Sequence, residues 1–521
     1  MGPGVFYQQR DLSQIVAGVD SSILGFAASA KWGPSDVLTP LTGLQQYVQL
    51  HGRPVNPTET PAFYQLLGWF KLGRTCYFVR PKGDSKFGGV EALKGAVPIG
   101  ISAGLDIRPS TPSSENVVGI YTKYAGVHDG GTIKIKIFDV NDTEGTFGIQ
   151  AGVKLDSEGT GLDASDPWFE EHRVSVIRGA KDGQGRSIYI EDVLNRDSQL
   201  LSGSAKENAL IDDVPLVTPT LVTLANNSYT AATEADVIAA YNKLIPLDAV
   251  TIDLIIPSVF TDDVINKVIE VAVVRGDAFA IVTPAVGDTW TVEGISGAAG
   301  WLSTLSPKSA QAAAYAMYYK VRDEYNDTDF YVPAAGAIAG AYAYNDAQAA
   351  QWYAPAGPRR GIQLGVELGH IWEKAESDIL YSRGINWVSK TARYGITIEG
   401  QKTLDGGTSA LNRVNVSRLI LKIKRDLMLF LQDFLYEFNN NKNRTLIYSG
   451  IDNYLREITS REGLYDYRVI CDETNNPASL IDQNKLQVDV YVKPVKTAEF
   501  IYLRTTLTST GVDFDSVISV V

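Results

Sequence analysis

Four histidines, His51, His128, His172 and His370, are the first residues to test for catalysis or metal binding. None stands at a metal-ligand spacing such as HxxxH from another, and neither Cys76 nor Cys471 has a second cysteine nearby. Each histidine reads as structural. Gly100-Ile101-Ser102-Ala103-Gly104 has the form GxSxG, but a nucleophile elbow must run into a helix, and the prolines and serines of Leu105–Ser114 oppose one. Asp139-Val140-Asn141-Asp142-Thr143 opens like a calcium loop, yet Glu144 stands where that loop needs glycine and Gln150 where it needs glutamate. A GxxxxGK[ST] phosphate loop is absent, as is GxGxxG after a strand. Asp262 and Asp263 suit the first turn of a helix better than acid–base work. These residues predict no enzyme, no catalytic residue, no cofactor and no metal site. The remaining enzymatic alternative, an α/β hydrolase using Ser102, requires a helix after Gly104 and a histidine beside Ser102.

One cluster offers charge rather than reactivity. A helix is predicted over Ser417–Phe438. At about 100° per residue, Ile420, Ile423, Leu427, Phe430, Leu431, Phe434 and Phe438 fall on one stripe and Arg418, Lys422 and Arg425 on the opposite one. The basic stripe reads either as a solvated face or as an electrostatic seat for an acidic partner.

The elements that position these residues belong to a chain of 521 residues, longer than a single core supports. Hydrophobic residues make up 45% and charged residues 21%, a globular mixture. A net charge of −13 argues against nucleic-acid contact. The first residues lack the basic-then-apolar pattern of a signal peptide. The longest weakly polar run, Val332–Ala343, is about a dozen residues where a membrane span needs about 20. A soluble product made in the cytoplasm, without membrane insertion, is expected. Both cysteines lie in apolar strand-like runs and read as buried thiols; an inter-subunit disulfide is the alternative.

The fold class expected is α/β and α+β, multidomain. Gly25–Ala30, Thr75–Arg80, Val250–Ile256 and Ala278–Thr283 read as buried strands. Pro61–Leu72 reads as a helix ending at Gly73, and Thr233–Leu244 as a helix capped by Thr233 with Asp236. Thr261 is placed to cap the helix that follows it. Between them lies a β-rich stretch, in which Thr132–Phe138 alternates isoleucine with lysine, and Val174–Arg178 and Ser187–Glu191 look similar. Leu486–Val495 alternates as a strand. Gly4–Leu12 has extended character. Phe500–Leu507 and the final segment alternate apolar residues, among them Ile501, Leu503, Leu507, Val512, Phe514, Ile518 and Val520. Terminal strands need an edge to pair with, at home or on a neighbour.

The segments so assembled resemble the contractile phage tail sheath family. The resemblance starts with PGVFYQQRDLS, then GFAASAKWGP (Gly25–Pro34) and PAFYQLLGWFKLGRTCYFVR (Pro61–Arg80). It continues in VPAAGAIAGAYAYND (Val332–Asp346), WYAPAG (Trp352–Gly357), RGINWV (Arg383–Val388), GITIEGQKTL (Gly395–Leu404) and SALNRVNVSRLILKIKR (Ser409–Arg425). GLYDYRVICDETNNP (Gly463–Pro477), LQVDVYVKPV and AEFIYLRTTLTSTGVDF (Ala498–Phe514) complete it; within the β-rich stretch only YIEDVLNRDS (Tyr189–Ser198) takes part.

The resemblance implies a domain plan. Residues 1–20 would be an N-terminal arm, 21–99 and 371–498 a shared inner α/β domain, 100–205 a β-rich outer insert, 206–370 an α/β middle domain and 499–521 a C-terminal arm. It implies a virion subunit, made in the host cytoplasm, that polymerises as stacked hexameric rings around a tail tube and contracts to drive the tube through the target envelope during genome delivery. Val5, Phe6 and Tyr7, with the C-terminal apolar residues above, would form inter-subunit strand arms. Arg418, Lys422 and Arg425 would face the tube. Partners would be further copies of the chain, the tail tube protein, and baseplate and tail terminator proteins. The sheath of a bacterial contractile injection device or bacteriocin is the near alternative.

Overall fold

The computed structural model describes residues 22–113, 116–128, 131–218, 220–247, 250–285, 297–361 and 367–499. The chain divides into two compact units, Met1–Phe438 and Asn439–Val521.

The first unit is built on one eight-stranded sheet. Its strands run in the spatial order Gly395–Glu399, Ile385–Thr391, Ala312–Ala316, Phe279–Val282, Leu254–Ile255, Ile23–Ala27, Thr75–Val79 and Leu38–Leu41. The six inner strands are parallel; the two outer ones are antiparallel. Parallel strands must be covered on both faces, which is why they read as short continuous apolar runs. Leu24, Phe26, Cys76, Phe78, Ile281 and Tyr315 pack on one side with the helices Pro61–Trp69 and Ala335–Gln348. Ala27, Val79, Ile255, Ala280, Val282 and Ala314 pack on the other with Glu234–Tyr241 and Asp262–Arg275.

The β-rich segment forms two antiparallel four-stranded sheets. One runs Leu201–Ala205, Val118–Thr122, Gly89–Ala92, Ile99–Gly100. The other runs Val222–Thr223, Lys134–Asn141, Thr146–Gly152, Glu170–Ser175. Ile133, Ile135 and Ile137 are fully buried while the intervening lysines stay at the rim, as the alternation requires.

The multidomain α/β and α+β class is the observed one. The expected boundaries differ in two places. Strands from 21–99, 206–370 and 371–498 share one sheet, so inner and middle segments are not separate sheets. The β-rich part also draws strands from Gly89–Ala92 and Val222–Thr223, outside 100–205. Ser187–Glu191 is not a strand; the helix Ile190–Asp197 starts within it.

In the second unit the helix Asn441–Ser460 starts at Asn440, whose side chain accepts from the Asn443 N–H at 2.9 Å. It packs on the strand Leu464–Ile470, which pairs antiparallel with Asp489–Pro494.

Candidate assembly site

No helix follows Gly104, Ser102 is exposed, and its cleft of about 510 Å³ has no histidine in its lining. The hydrolase reading ends there. Asn141 Oδ1 instead accepts the Thr143 and Glu144 N–H groups in a hairpin turn between Lys134–Asn141 and Thr146–Gly152, so the calcium-loop positions run into a strand. His51 Nδ1 lies 2.9 Å from the Trp32 carbonyl, and burial lowers its pKa to about 3. His128 sits between Trp32 and Trp168, with burial lowering it to about 4. His172 pairs with Glu170 at 3.3 Å, and His370 stacks edge-on against Trp372. Cys76 and Cys471 are free and buried, with both thiol pKa values raised by burial. Among the described residues no three His, Cys, Asp or Glu side chains gather as a metal site, and no helix is long and apolar enough to cross a membrane.

The basic stripe lies elsewhere than expected. Its helix is Val414–Gln432, and Arg418, Lys422 and Arg425 are 3%, 8% and 5% exposed. A buried stripe presents no face to a tube; the tube-facing expectation is corrected. The cause is a matched set of carboxylates. Arg418 donates through both terminal nitrogens to Asp346, at 2.9 and 2.5 Å, and lies over the Tyr342 ring at 4.9 Å. Arg425 donates to Asp253, and Lys422 pairs with Asp426 at 3.1 Å. Three cations thus meet three carboxylates. Burial opposes the Arg418 charge, but Asp346 outweighs it and the guanidinium pKa rises. Unpaired, each of these charges would cost several kcal/mol to bury.

This cluster grips the chain where it enters the sheet. Ser22 donates its hydroxyl proton to Asp346. Ile23 donates its N–H to Asp253 Oδ2 at 2.9 Å, and Gln351 Nε2 donates to Asp253 Oδ1 at 3.1 Å. Arg425 Nε and Nη2 have no hydrogen-bond partner among the described residues. The sequence held no sign of this role: the carboxylates lie 72 and 172 positions away from their arginines.

The second feature is the ribbon of the second unit. Leu464 and Val469 are buried in a strand that packs on the helix Asn441–Ser460, where Ile447, Ile451 and Leu455 are buried too. Asn475 and Asn476 tie the connection, donating to the Ile470 carbonyl at 2.8 Å and the Gln487 carbonyl at 2.9 Å. Among the described residues neither strand has a second neighbour. A two-stranded ribbon is marginal alone, and its free N–H and C=O rows template further strands.

Residues 407–508, which contain both the basic helix and the ribbon, match the family model for the phage tail sheath C-terminal domain. The chain is 29% identical over 364 residues to the tail sheath protein of Enterobacteria phage T4, covering 66% of this chain and 54% of that protein. It is 40% identical over 232 residues to the tail sheath protein of Vibrio phage KVP40, covering 42% and 35%. The chain is thus similar to contractile phage tail sheath proteins, and residues 407–508 match their C-terminal domain. It spans about a third to about half the length of these sheath relatives. Its fold resembles a sheath tail protein from Desulfitobacterium hafniense, with TM-score 0.58, 14% identity and coverage of 96% of this chain and 99% of that one. It also resembles the contracted sheath of the PVC extracellular contractile injection system, with TM-score 0.56, 16% identity and 99% of each chain covered. At such identities the likeness is one of fold.

The expected sheath arm residues Val5, Phe6, Tyr7, Ile501, Leu503, Leu507, Val512, Phe514, Ile518 and Val520 lie outside the described residues.

Proposed function

We propose that the chain is a non-enzymatic structural subunit of a contractile tail sheath. It polymerises as stacked hexameric rings around a tail tube and contracts to drive the tube through the target envelope during genome delivery. The observation that carries this reading is the ribbon Leu464–Ile470 with Asp489–Pro494, unpaired at both edges among the described residues and lying inside the stretch that matches the sheath family. Added strands would come from neighbouring copies, from an N-terminal arm at 1–20 of extended character and a C-terminal arm at 499–521 whose apolar residues alternate. Backbone hydrogen bonds of this kind keep neighbours tethered while other contacts exchange between two arrangements, as a contraction requires. The partners are other copies, the tail tube protein, baseplate and tail terminator proteins, with the β-rich segment facing outward.

A bacterial injection device has the fold likeness to the PVC sheath behind it, at 16% identity. Identities of 29% and 40% to phage proteins favour the virion.

The test compares the full chain with one truncated before Phe500. Negative-stain microscopy should show hollow cylinders or rings for the first and dispersed particles with unchanged circular dichroism for the second. Normal cylinders from the truncated chain would sink the arm reading. Dispersed monomers of the full chain at high concentration would sink the sheath reading.

A further inference from the structure

The root of the N-terminal segment and the helix that leads to the ribbon are held by the same side chains. Ser22 and Ile23 bind Asp346 and Asp253. Those two carboxylates bind Arg418 and Arg425, which lie two turns apart on one face of Val414–Gln432. Beyond Gln432 the covalent chain continues into Asn439–Val521, which carries the ribbon. Ile23–Ala27 is moreover an inner strand, paired on one side to Leu254–Ile255 and on the other to Thr75–Val79.

We propose that the Arg418–Asp346–Ser22 and Arg425–Asp253–Ile23 contacts form a mechanical clamp that passes tension between the N-terminal segment and the ribbon-bearing unit within each subunit. This rests on the sheath reading, in which a neighbour pulls on the ribbon and this chain's own N-terminal segment is held by another neighbour. Force entering through the ribbon then travels along Val414–Gln432, crosses two ion pairs and leaves through Ser22. The β-rich segment supplies none of these contacts. Subunits can therefore slide past each other with their tethers loaded and their bodies undistorted.

The chemistry suits the task. Charge-assisted hydrogen bonds are about twice as strong as neutral ones, and a two-pronged arginine–carboxylate contact also fixes direction. The cluster is neutral in sum and shut from water, so salt screens it little.

The clamp is tested first on the isolated chain. Ser22→Ala removes one link without leaving a charge unpaired. The double variant Arg418→Met with Asp346→Leu removes an ion pair as a unit, which protein interiors tolerate better than the loss of one partner. Tyr64→Phe, which removes a buried hydrogen bond to Asp323 away from these contacts, is the control. Under force-clamp pulling between handles at residues 21 and 440, the Ser22 variant and the Arg418/Asp346 variant should rupture at least about tenfold faster than wild type, the loss expected for a hydrogen bond to a charged group. The control should rupture at the wild-type rate under that geometry. Equal rates for wild type and both clamp variants overturn the proposal, as does a control that weakens as much as they do. Next, sheaths of the Ser22 variant should assemble and then fragment when contraction is triggered; contraction as intact as wild type also counts against the clamp. If wild type itself forms no cylinders, the sheath reading has failed, and the pulling rates still decide whether the clamp exists.

Discussion

Arg418, Lys422 and Arg425 show how far a side chain's surroundings can lie from its sequence. On a helical wheel they oppose an apolar stripe and read as a surface. In the fold they are inside, because Asp253 and Asp346 arrive from distant strands and helices to meet them. Helical periodicity sees only neighbours within a few turns, so no pattern within 414–432 could have revealed it. The histidines were easier to read: His51, His128 and His370 lie against aromatic rings and His172 beside Glu170, each in a structural setting. They carry a pH consequence. His128 has a folded pKa near 4 against an ordinary value of 6.5, and His51 one near 3. Between those values and 6.5 the unfolded chain binds more protons than the folded one. Stability is therefore full above about pH 6.5 and falls as pH drops through that window, by up to about 1.4 kcal/mol per pH unit for each histidine. Melting temperatures at pH 7, 6 and 5 should decline, and His128→Asn should decline less steeply across the same range. Parallel slopes for the two proteins would refute the assignment.

Among elements, helices with a local signature were legible to within a few residues. Thr233 caps Glu234–Tyr241, its side chain and that of Asp236 exchanging bonds with each other's N–H groups. Thr261 precedes Asp262–Arg275 as expected, but its hydroxyl goes to Glu234 and makes no cap bond. The long C-terminal helix stops at Gln432, six residues before Phe438; Asp433–Glu437 is turn, and Tyr436 takes a positive φ of 68°. What the sequence could not show is how two family-like segments meet. Pro61–Trp69 and Ala335–Gln348 approach through glycine: a Cβ on Gly336 would lie 2.1 Å from the Gln65 carbonyl oxygen, and one on Gly68 2.8 Å from the Ala337 nitrogen. Gly340 has more room, its nearest contact being 3.1 Å. Gly336→Ala should cost about 1–3 kcal/mol by forcing backbone apart, and Gly340→Ala clearly less. Urea unfolding midpoints measure both; equal effects would disprove the close-packing account.

At the scale of the molecule, the alternation of strands and helices was enough to give the α/β class, because inner strands such as Phe279–Val282 are apolar throughout and helices such as Asp262–Arg275 end at a glycine. The partition into domains was not readable. Strand order is a non-local property, and Ile385–Thr391 joins Ala312–Ala316 across a segment that composition gave no reason to merge. The hydrophobic clusters of the first unit, on both faces of the eight-stranded sheet and within the β-rich segment, contain no residue beyond Leu421 among the described residues. A chain stopped after Phe438 should thus keep a cooperative melt and resist limited proteolysis. Loss of cooperativity would mean that residues 439–521 are needed to complete the first core.

The strand order has a consequence during translation. Ile23–Ala27 is made well before one of its sheet neighbours, Leu254–Ile255, which leaves the ribosome more than two hundred residues later. Leu464–Ile470 and Asp489–Pro494 come later still. On the strand-exchange reading, a growing chain owns a segment that others can capture well before it owns the ribbon that captures. On the same reading, nascent copies could join a finished end but not extend it until Leu464–Ile470 and Asp489–Pro494 have been synthesised.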